Sequence, residues 1–162
     1  GQSYYAFDSD SIQHSIERSL GRLQTDHLDI VFVHSDGQDT DIIENGETLE
    51  TLIRLKAEGV LHHVGFSGKT IEGHLRAITS GMVDVLMVEY NPSETSQEDV
   101  IHTASTHNVG VIVKKGLGSG TLQASEAIPF CLASPAVCSV VVGSLNAKHL
   151  SENLRLAQHC IS

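Results

Sequence analysis

Short apolar runs alternate with amphipathic segments along the whole chain. Five of these runs are rich in β-branched residues and are apolar at successive positions, as in strands buried on both faces of a parallel sheet. They cover residues 29–34, 60–67, 83–91, 109–115 and 137–144. We therefore expect parallel strands, because half-exposed antiparallel strands would alternate apolar and polar residues.

The segments between the runs have helical periodicity. In the first, Ile12, Ile16, Leu20 and Leu23 recur at spacings of four, four and three, which places them on one face. Five of the predicted helices cover residues 10–23, 47–58, 70–80, 124–133 and 147–159. Another is opened by residues 95–98, which resemble a capping box, and runs to about residue 107. One helix followed by five strand–helix units predicts an α/β fold with a parallel sheet and right-handed crossovers.

Composition limits the class of protein. The chain has 162 residues, and no linker or low-complexity tract divides it, so we expect one domain over residues 1–162. A formal net charge of −10 argues against nucleic acid or an anionic membrane as partner. The three cysteines form no CxxC pair, which favours reduced thiols and a cytoplasmic location. No apolar run approaches the ~20 residues of a membrane span.

Polar or small residues follow the predicted strands at their carboxyl ends, where sites lie in parallel α/β sheets and barrels. They are His34, Ser67, Glu89-Tyr90-Asn91, Lys114-Lys115 and Gly143-Ser144. His34 could hydrogen-bond a substrate carbonyl, or it could be satisfied by loop carbonyls. Ser67, next to Gly68, could bind a carboxamide, or it could simply cap the following helix.

Two further segments have both a functional and a structural interpretation. The turn at Gly143 opens a helix that carries Lys148 and His149, an arrangement suited to a phosphate, although Asn146 could be an ordinary N-cap. The paired lysines 114 and 115 end a buried strand, where they could face a charged ligand or form a salt bridge to Glu89.

The ten histidines do not by themselves predict a metal site. His62 and His63 are adjacent, and His102 and His107 are five residues apart, so neither pair has the four-residue spacing of ligands on one helical face. The sequence therefore predicts no metal.

Taken in order, these segments resemble the aldo-keto reductase family over nearly the whole chain. Residues 15–29 look like the helix before that family's fourth strand, and residues 30–34 resemble the strand itself, which ends in the active-site histidine. Residues 55–67 match the pattern L-x-x-E-G-x-(I/L)-x-x-x-G-x-S. Residues 89–92 resemble the end of the sixth strand, and Gly143-Ser144 with Glu152-Asn153 resemble the segment that binds the adenosine phosphate.

The resemblance implies a (β/α)8 TIM barrel that reduces aldehydes or ketones with NADPH. The chain would be the C-terminal portion of that barrel, a partial barrel of five parallel strands with flanking helices. The family's catalytic Asp, Tyr and Lys would lie on the N-terminal strands that this chain does not contain. His34 is then the one catalytic residue with a counterpart, and Tyr4 and Tyr5, which precede the first helix, are not the catalytic tyrosine. The chain alone is expected to be inactive.

The resemblance also implies a set of cofactor-binding residues: Ser67, Gly68, Lys114, Leu117, Gly143, Ser144, His149, Glu152 and Asn153. The chain departs from the family at several of them. The usual Ser-Asn pair reads Ser67-Gly68, the glutamine of the sixth strand aligns with Met87, and the aromatic that stacks on nicotinamide aligns with Lys114. The basic residues that hold the 2′-phosphate correspond to Gly143 and His149, which leaves NADH as a second candidate beside NADPH.

Two other interpretations remain open at this point. One is a non-catalytic nucleotide-binding or interaction module that uses the open sheet; the other is a flavodoxin-like domain of five strands. Under the reductase interpretation the partners are a small carbonyl substrate and whatever covers the first and last strands, since five strands cannot close an eight-stranded barrel. The missing N-terminal strands or a second copy of the chain would fill that role.

Overall fold

The computed structural model describes residues 5–44 and 46–161 and has the predicted α/β architecture. Five strands form one parallel sheet in the order β1-β2-β3-β4-β5, which confirms the partial barrel. The strands are β1 (Leu28–His34), β2 (Leu61–Ser67), β3 (Val85–Glu89), β4 (Gly110–Lys114) and β5 (Val137–Val140). Over these residues, no helix has both the length and the apolar character needed to cross a bilayer.

Seven α-helices are seen in the described residues. They are α1 (Ser9–Leu23), α2 (Asp39–Glu44), α3 (Glu47–Ala57), α4 (Ile71–Ser80), α5 (Glu98–Thr106), α6 (Ala124–Leu132) and α7 (Ala147–Ile161). The six predicted helices agree with these bounds within two residues, whereas α2 was not predicted. The capping box expected at residues 95–98 is wrong, because α5 begins after Gln97 and that residue makes no side-chain capping bond.

The chain divides into two compact units, Gly1–Leu86 and Met87–Ser162. In the first unit, β1 and β2 pair in parallel from Leu28↔Leu61 to His34↔Ser67. Its core consists of fully buried side chains of α3 and β2, namely Leu49, Leu52, Leu61, Val64 and Phe66. Burying aliphatic side chains of this size contributes about 1.5–3 kcal/mol each.

Gly65, in the middle of β2, leaves room for the Phe32 side chain of β1. A Cβ atom at Gly65 would lie 2.4 Å from the Phe32 ring, much closer than van der Waals contact allows. The glycine of the G-x-S pattern is thus required by packing across β1 and β2.

In the second unit, β4 and β5 pair in parallel, with an irregularity between Val111 and Ile112. Val111, Val113, Ala127 and Cys131 are completely buried and form the centre of this core. The strand predicted for 137–144 stops at Val140. Beyond it, the Val141 amide still donates to the Val113 carbonyl of β4, and the pairing of the two strands ends there.

The first and last strands do not have two buried faces. Asp29 and Ile30 of β1 are exposed, as are Cys138 and Ser139 of β5. The expectation of burial on both faces is therefore wrong for these two strands. Among the described residues β1 hydrogen-bonds as a strand to β2, and β5 to β4, so each has one edge without a strand partner.

Candidate functional site

The predicted residues His34 and Ser67 lie side by side at the carboxyl ends of β1 and β2. They are register partners in the parallel ladder, and neighbouring strands are about 4.8 Å apart. The Ser35 amide donates to the Ser67 carbonyl at 3.2 Å, which extends the pairing beyond the strands. His34 is exposed and Ser67 is buried. The first unit thus brings together His34 and Ser67, the two polar residues that we predicted at the ends of its strands.

His34 also lines a cavity of about 230 Å³ next to β1. The other walls are residues 5–7, the first half of α1, and Thr48 and Leu52 of α3. Tyr5 stands at this cavity and stacks on Phe7 with ring centroids 6.1 Å apart. Tyr4 lies outside the described residues.

The loop after β2 is held by a buried carboxylate from α2. Asp39 is 2% exposed, and its Oδ2 accepts hydrogen bonds from the Lys69 amide at 2.9 Å and the Thr70 amide at 2.7 Å. The Thr70 hydroxyl donates to the same oxygen at 2.7 Å. Asp39 therefore fixes the backbone of the residues that follow Ser67 and Gly68.

Burial raises the pKa of Asp39, but the nearby Ser35 hydroxyl and the hydrogen bonds from the Thr70 hydroxyl and the backbone amides of Lys69 and Thr70 outweigh it, so the pKa lies below its ordinary value. The carboxylate is thus ionised at neutral pH, at the amino-terminal end of α4, where a negative charge is stabilised by the helix dipole. Its Oδ1 is buried and has no hydrogen-bond partner among the described groups.

His74 completes this cluster from α4. It is 1% exposed, and its Nε2 accepts a hydrogen bond from the Gly68 amide at 3.2 Å. A Cβ atom at Gly68 would lie 2.9–3.1 Å from Phe66, Asp39 and His74, so the position of a larger side chain is already filled. A side chain at residue 68 would therefore require these neighbours to shift.

The structural alternative for Ser67 is wrong, because it does not cap α4. Thr70 is the N-cap, and its hydroxyl accepts a hydrogen bond from the Gly73 amide at 3.0 Å. Gly73 in turn allows α4 to approach Asp39, whose side chain would overlap a Cβ atom at that position.

In the second unit, the salt bridge considered for the paired lysines is present. Lys115 Nζ lies 2.7 Å from Glu89 Oε2, and Asn91, which is buried, donates from Nδ2 to the Lys115 carbonyl at 3.1 Å. Lys114 is half-buried at the end of β4, and Leu117 is half-buried before the 3₁₀ turn Gly118–Gly120. Met87 is half-buried in β3.

The segment before α7 is exposed and is held by its own polar side chains. Ser144 Oγ accepts from the Asn146 amide at 3.1 Å, and Asn146 Oδ1 accepts from the Lys148 amide at 3.0 Å. Asn146 is therefore the cap that the structural interpretation predicted. Gly143, Ser144, Lys148 and His149 are all exposed at this positive end of a fifteen-residue helix.

Glu152 and Asn153 line a cavity of about 480 Å³ between α7 and the start of α6. Gln123, Ala124 and Ser125 form its opposite wall. Glu152 is exposed, whereas Asn153 is 7% exposed and also faces an apolar cavity of about 210 Å³ against β5 and α6. The larger cavity is within the range that small-molecule sites occupy, about 300–1,000 Å³.

Asp39 and His74 were not among the predicted site residues. Asp39 belongs to a polar stretch that looks solvent-exposed in the sequence, and His74 is one of ten histidines without a distinguishing spacing. Nothing in the sequence indicates that both are buried against the loop after β2.

The chain is similar to proteins of one known family. Residues 4–129 match the model of the aldo/keto reductase family. A solved Pseudomonas aeruginosa structure, described as a candidate aldo-keto reductase, is 41% identical with a TM-score of 0.93 over 100% of this chain and 64% of its own. L-galactose dehydrogenase from Arabidopsis thaliana is 29% identical over 83% of this chain and 44% of its own. The NADH-specific methylglyoxal reductase of Escherichia coli is 24% identical over 75% and 39%.

The chain therefore spans less than two thirds of the length of each of these relatives. They are described as an aldo-keto reductase, a dehydrogenase and a reductase.

Proposed function

Because the chain belongs to the aldo-keto reductase family, we propose that it forms the C-terminal arc of an NAD(P)H-dependent oxidoreductase that reduces aldehydes or ketones. The observation that carries the proposal is the pairing of His34 with Ser67 at the carboxyl ends of β1 and β2, next to a loop fixed by Asp39. Names of the relatives support an oxidoreductase in general, and the carbonyl substrate is our inference from the family.

The bound nicotinamide would supply the hydride, and the residues present fit a dinucleotide in part. At the adenosine end, Glu152 and Asn153 line a cavity of suitable size. For the phosphates, Lys148 and His149 stand at the positive end of α7. At the nicotinamide end, Gly68 offers no side chain, so the assignment of a carboxamide contact rests on Ser67 and on backbone groups.

We propose NADPH as the cofactor and keep NADH as the second candidate. Lys148 favours a 2′-phosphate through its charge, and the His149 ring can donate a hydrogen bond to it. Gly143, where the family has a basic residue, and the NADH-specific Escherichia coli relative favour NADH.

In this proposal His34 donates a hydrogen bond to the substrate carbonyl oxygen and orients it. A proton must also reach that oxygen as the carbonyl is reduced, and its donor would be the tyrosine on barrel strands outside this chain. The same strands would cover the open edge of β1, where Ile30 is exposed. A second copy of the chain is the alternative cover.

The test uses full-length protein with all eight strands. NADPH and NADH are titrated by fluorescence, and loss of nicotinamide absorbance is then followed after an aldehyde is added. We expect binding and turnover, and we expect His34→Ala to lower kcat/KM by at least about tenfold, the value of one hydrogen bond of about 1.4 kcal/mol. His14→Ala, which changes an exposed histidine of α1, is the matched control and should retain full activity.

Cofactor binding without turnover of any aldehyde or ketone would favour the non-catalytic module. Unchanged kcat/KM in a folded His34→Ala variant would show that His34 does not contact the substrate.

A further inference from the structure

Three potential metal ligands meet at the amino-terminal ends of β1 and β2. His27 directly precedes β1, Asp29 is the second residue of β1, and His62 is the second residue of β2. The register pairs Leu28 with Leu61, so Asp29 lies beside His62. Because side chains alternate along a strand, His27 and Asp29 point to the same face.

The ligand atoms of these three residues all lie within 4.8 Å of one another. Zinc binds imidazole nitrogen and carboxylate oxygen at about 2.0–2.2 Å, usually in tetrahedral geometry, so two ligand atoms on one ion are about 3.4 Å apart. The side chains must therefore rotate to bring the three atoms closer together. Asp29 and His62 are exposed and free of core packing, which permits such rotations, while half-buried His27 is the fixed member.

A second carboxylate orients His27 in the way that metal-bound histidines are usually oriented. Asp26 Oδ1 lies 2.8 Å from His27 Nδ1, and because a carboxylate only accepts, Nδ1 carries the proton. The lone pair is then on Nε2, the atom left to bind a metal. Thr25 holds the backbone at the same point, since its hydroxyl donates to the His27 carbonyl at 3.1 Å.

We propose that His27, Asp29 and His62 form a binding site for a divalent transition-metal ion, Zn²⁺ first among them, with solvent completing the coordination. Two imidazoles and one carboxylate suit Zn²⁺ and its neighbours, whereas Ca²⁺ and Mg²⁺ prefer sites made entirely of oxygen. The imidazole rings of His27 and His62 stack with centroids 4.7 Å apart, which places the two side chains next to each other. Both rings must turn out of the stack to direct their nitrogen lone pairs at one ion.

This site is separate from the proposed oxidoreductase centre. Asp29 and His34 are five residues apart on β1, which corresponds to about 16 Å along a strand. The ion would join the start of β1, a strand with one open edge, to β2. Its expected effect is to stabilise the first unit, in keeping with the stabilising role of the amino-terminal face of such barrels.

The spacing of histidines within single helices could not reveal this site, because two of its ligands are 35 residues apart in sequence and meet only through strand pairing.

The test is a titration of tag-free full-length protein with Zn²⁺ by calorimetry, with Ca²⁺ as the contrasting ion. We expect one Zn²⁺ per chain, no comparable binding of Ca²⁺, and a higher Tm with Zn²⁺ than with a chelator. His62→Ala and His27→Ala should each weaken this binding at least about tenfold and abolish the Tm increase. Asp26→Asn should weaken it about 10- to 100-fold, as expected for loss of a supporting carboxylate.

His63→Ala is the matched control, since His63 is also exposed and is the next residue of β2, but it is not part of the cluster. It should bind Zn²⁺ as the parent does. Circular dichroism in chelator confirms that each variant is folded. Absence of saturable Zn²⁺ binding, or equal binding by folded His62→Ala protein, would overturn the proposal, and neither result depends on cofactor or substrate.

Discussion

Asp39→Asn tests whether the buried carboxylate holds the loop after β2. Oδ2 of Asp39 accepts three hydrogen bonds, at 2.9, 2.7 and 2.7 Å, and its other oxygen has no partner among the described groups. Asparagine has nearly the same shape. It would keep its oxygen towards the three donors and place its amide group where no acceptor is available. The substitution therefore removes the charge with little change in packing.

The expected loss of stability follows from those bonds. A hydrogen bond to a charged group contributes about 1.5–3 kcal/mol and a neutral one about 0.5–1.5, so three bonds lose about 3 kcal/mol together. Removing the buried charge recovers desolvation, whereas leaving the new amide group buried without an acceptor costs about 1–3 kcal/mol, so these two effects oppose each other. The lowered pKa of Asp39 agrees with the expected loss, because hydrogen bonding outweighs burial. We therefore expect a net loss of about 3 kcal/mol.

Urea unfolding of the full-length protein at pH 7 and at acid pH measures this effect. Since the pKa of Asp39 is lower in the folded than in the unfolded chain, its contribution is complete above the unfolded value of about 3.9. That contribution disappears as the pH falls through the folded value, so the gap between parent and variant should narrow below about pH 4. Asp36→Asn is the control, at an exposed residue of the loop after β1. Its asparagine oxygen can still accept from the Gln38 amide, so stability should change little. A gap under about 0.5 kcal/mol at pH 7, or one that does not depend on pH, would refute the reasoning.

One substitution tests the packing of the first unit, and one thiol reagent tests the packing of the second. Gly65→Ala should cost about 1–3 kcal/mol in urea unfolding because its Cβ would overlap the Phe32 ring, and adding Phe32→Leu should recover part of that loss; an unchanged parent-like stability would contradict the packing account. In thiol labelling of the native protein read by mass spectrometry, the exposed Cys138 and Cys160 should react quickly. Cys131 should react only on unfolding, because burial raises its pKa and its thiol donates to a backbone carbonyl; fast labelling of Cys131 would be inconsistent with this core.

The fold could be predicted largely from periodicity. Helical faces and β-branched runs are properties of local sequence, and they placed the helices except α2 within two residues of their observed bounds. Periodicity could not predict α2, because a six-residue helix with three acidic residues has no apolar face to recognise. It also overestimated β5, since an apolar run continues beyond the point at which hydrogen bonding with β4 ends.

The candidate site could be predicted where it depends on strand ends and not where it depends on tertiary contacts. His34 and Ser67 follow from the rule that parallel strands place sites at their carboxyl ends, and the structure brings the two together. Asp39 could not be found in this way, because an aspartate in a polar loop is usually exposed and its burial depends on donors from residues 69 and 70.

These contacts also explain why glycine suits residue 68 of this chain. An asparagine at residue 68 would need space that Asp39 and His74 occupy, since even a Cβ atom would lie 3.0–3.1 Å from them. The two residues also accept the backbone hydrogen bonds of this loop. His74 accepts from the Gly68 amide, and Asp39 accepts from the next two amides. The loop conformation is therefore specified by α2 and α4, and the loop can present Ser67 and its own backbone without a side chain at residue 68.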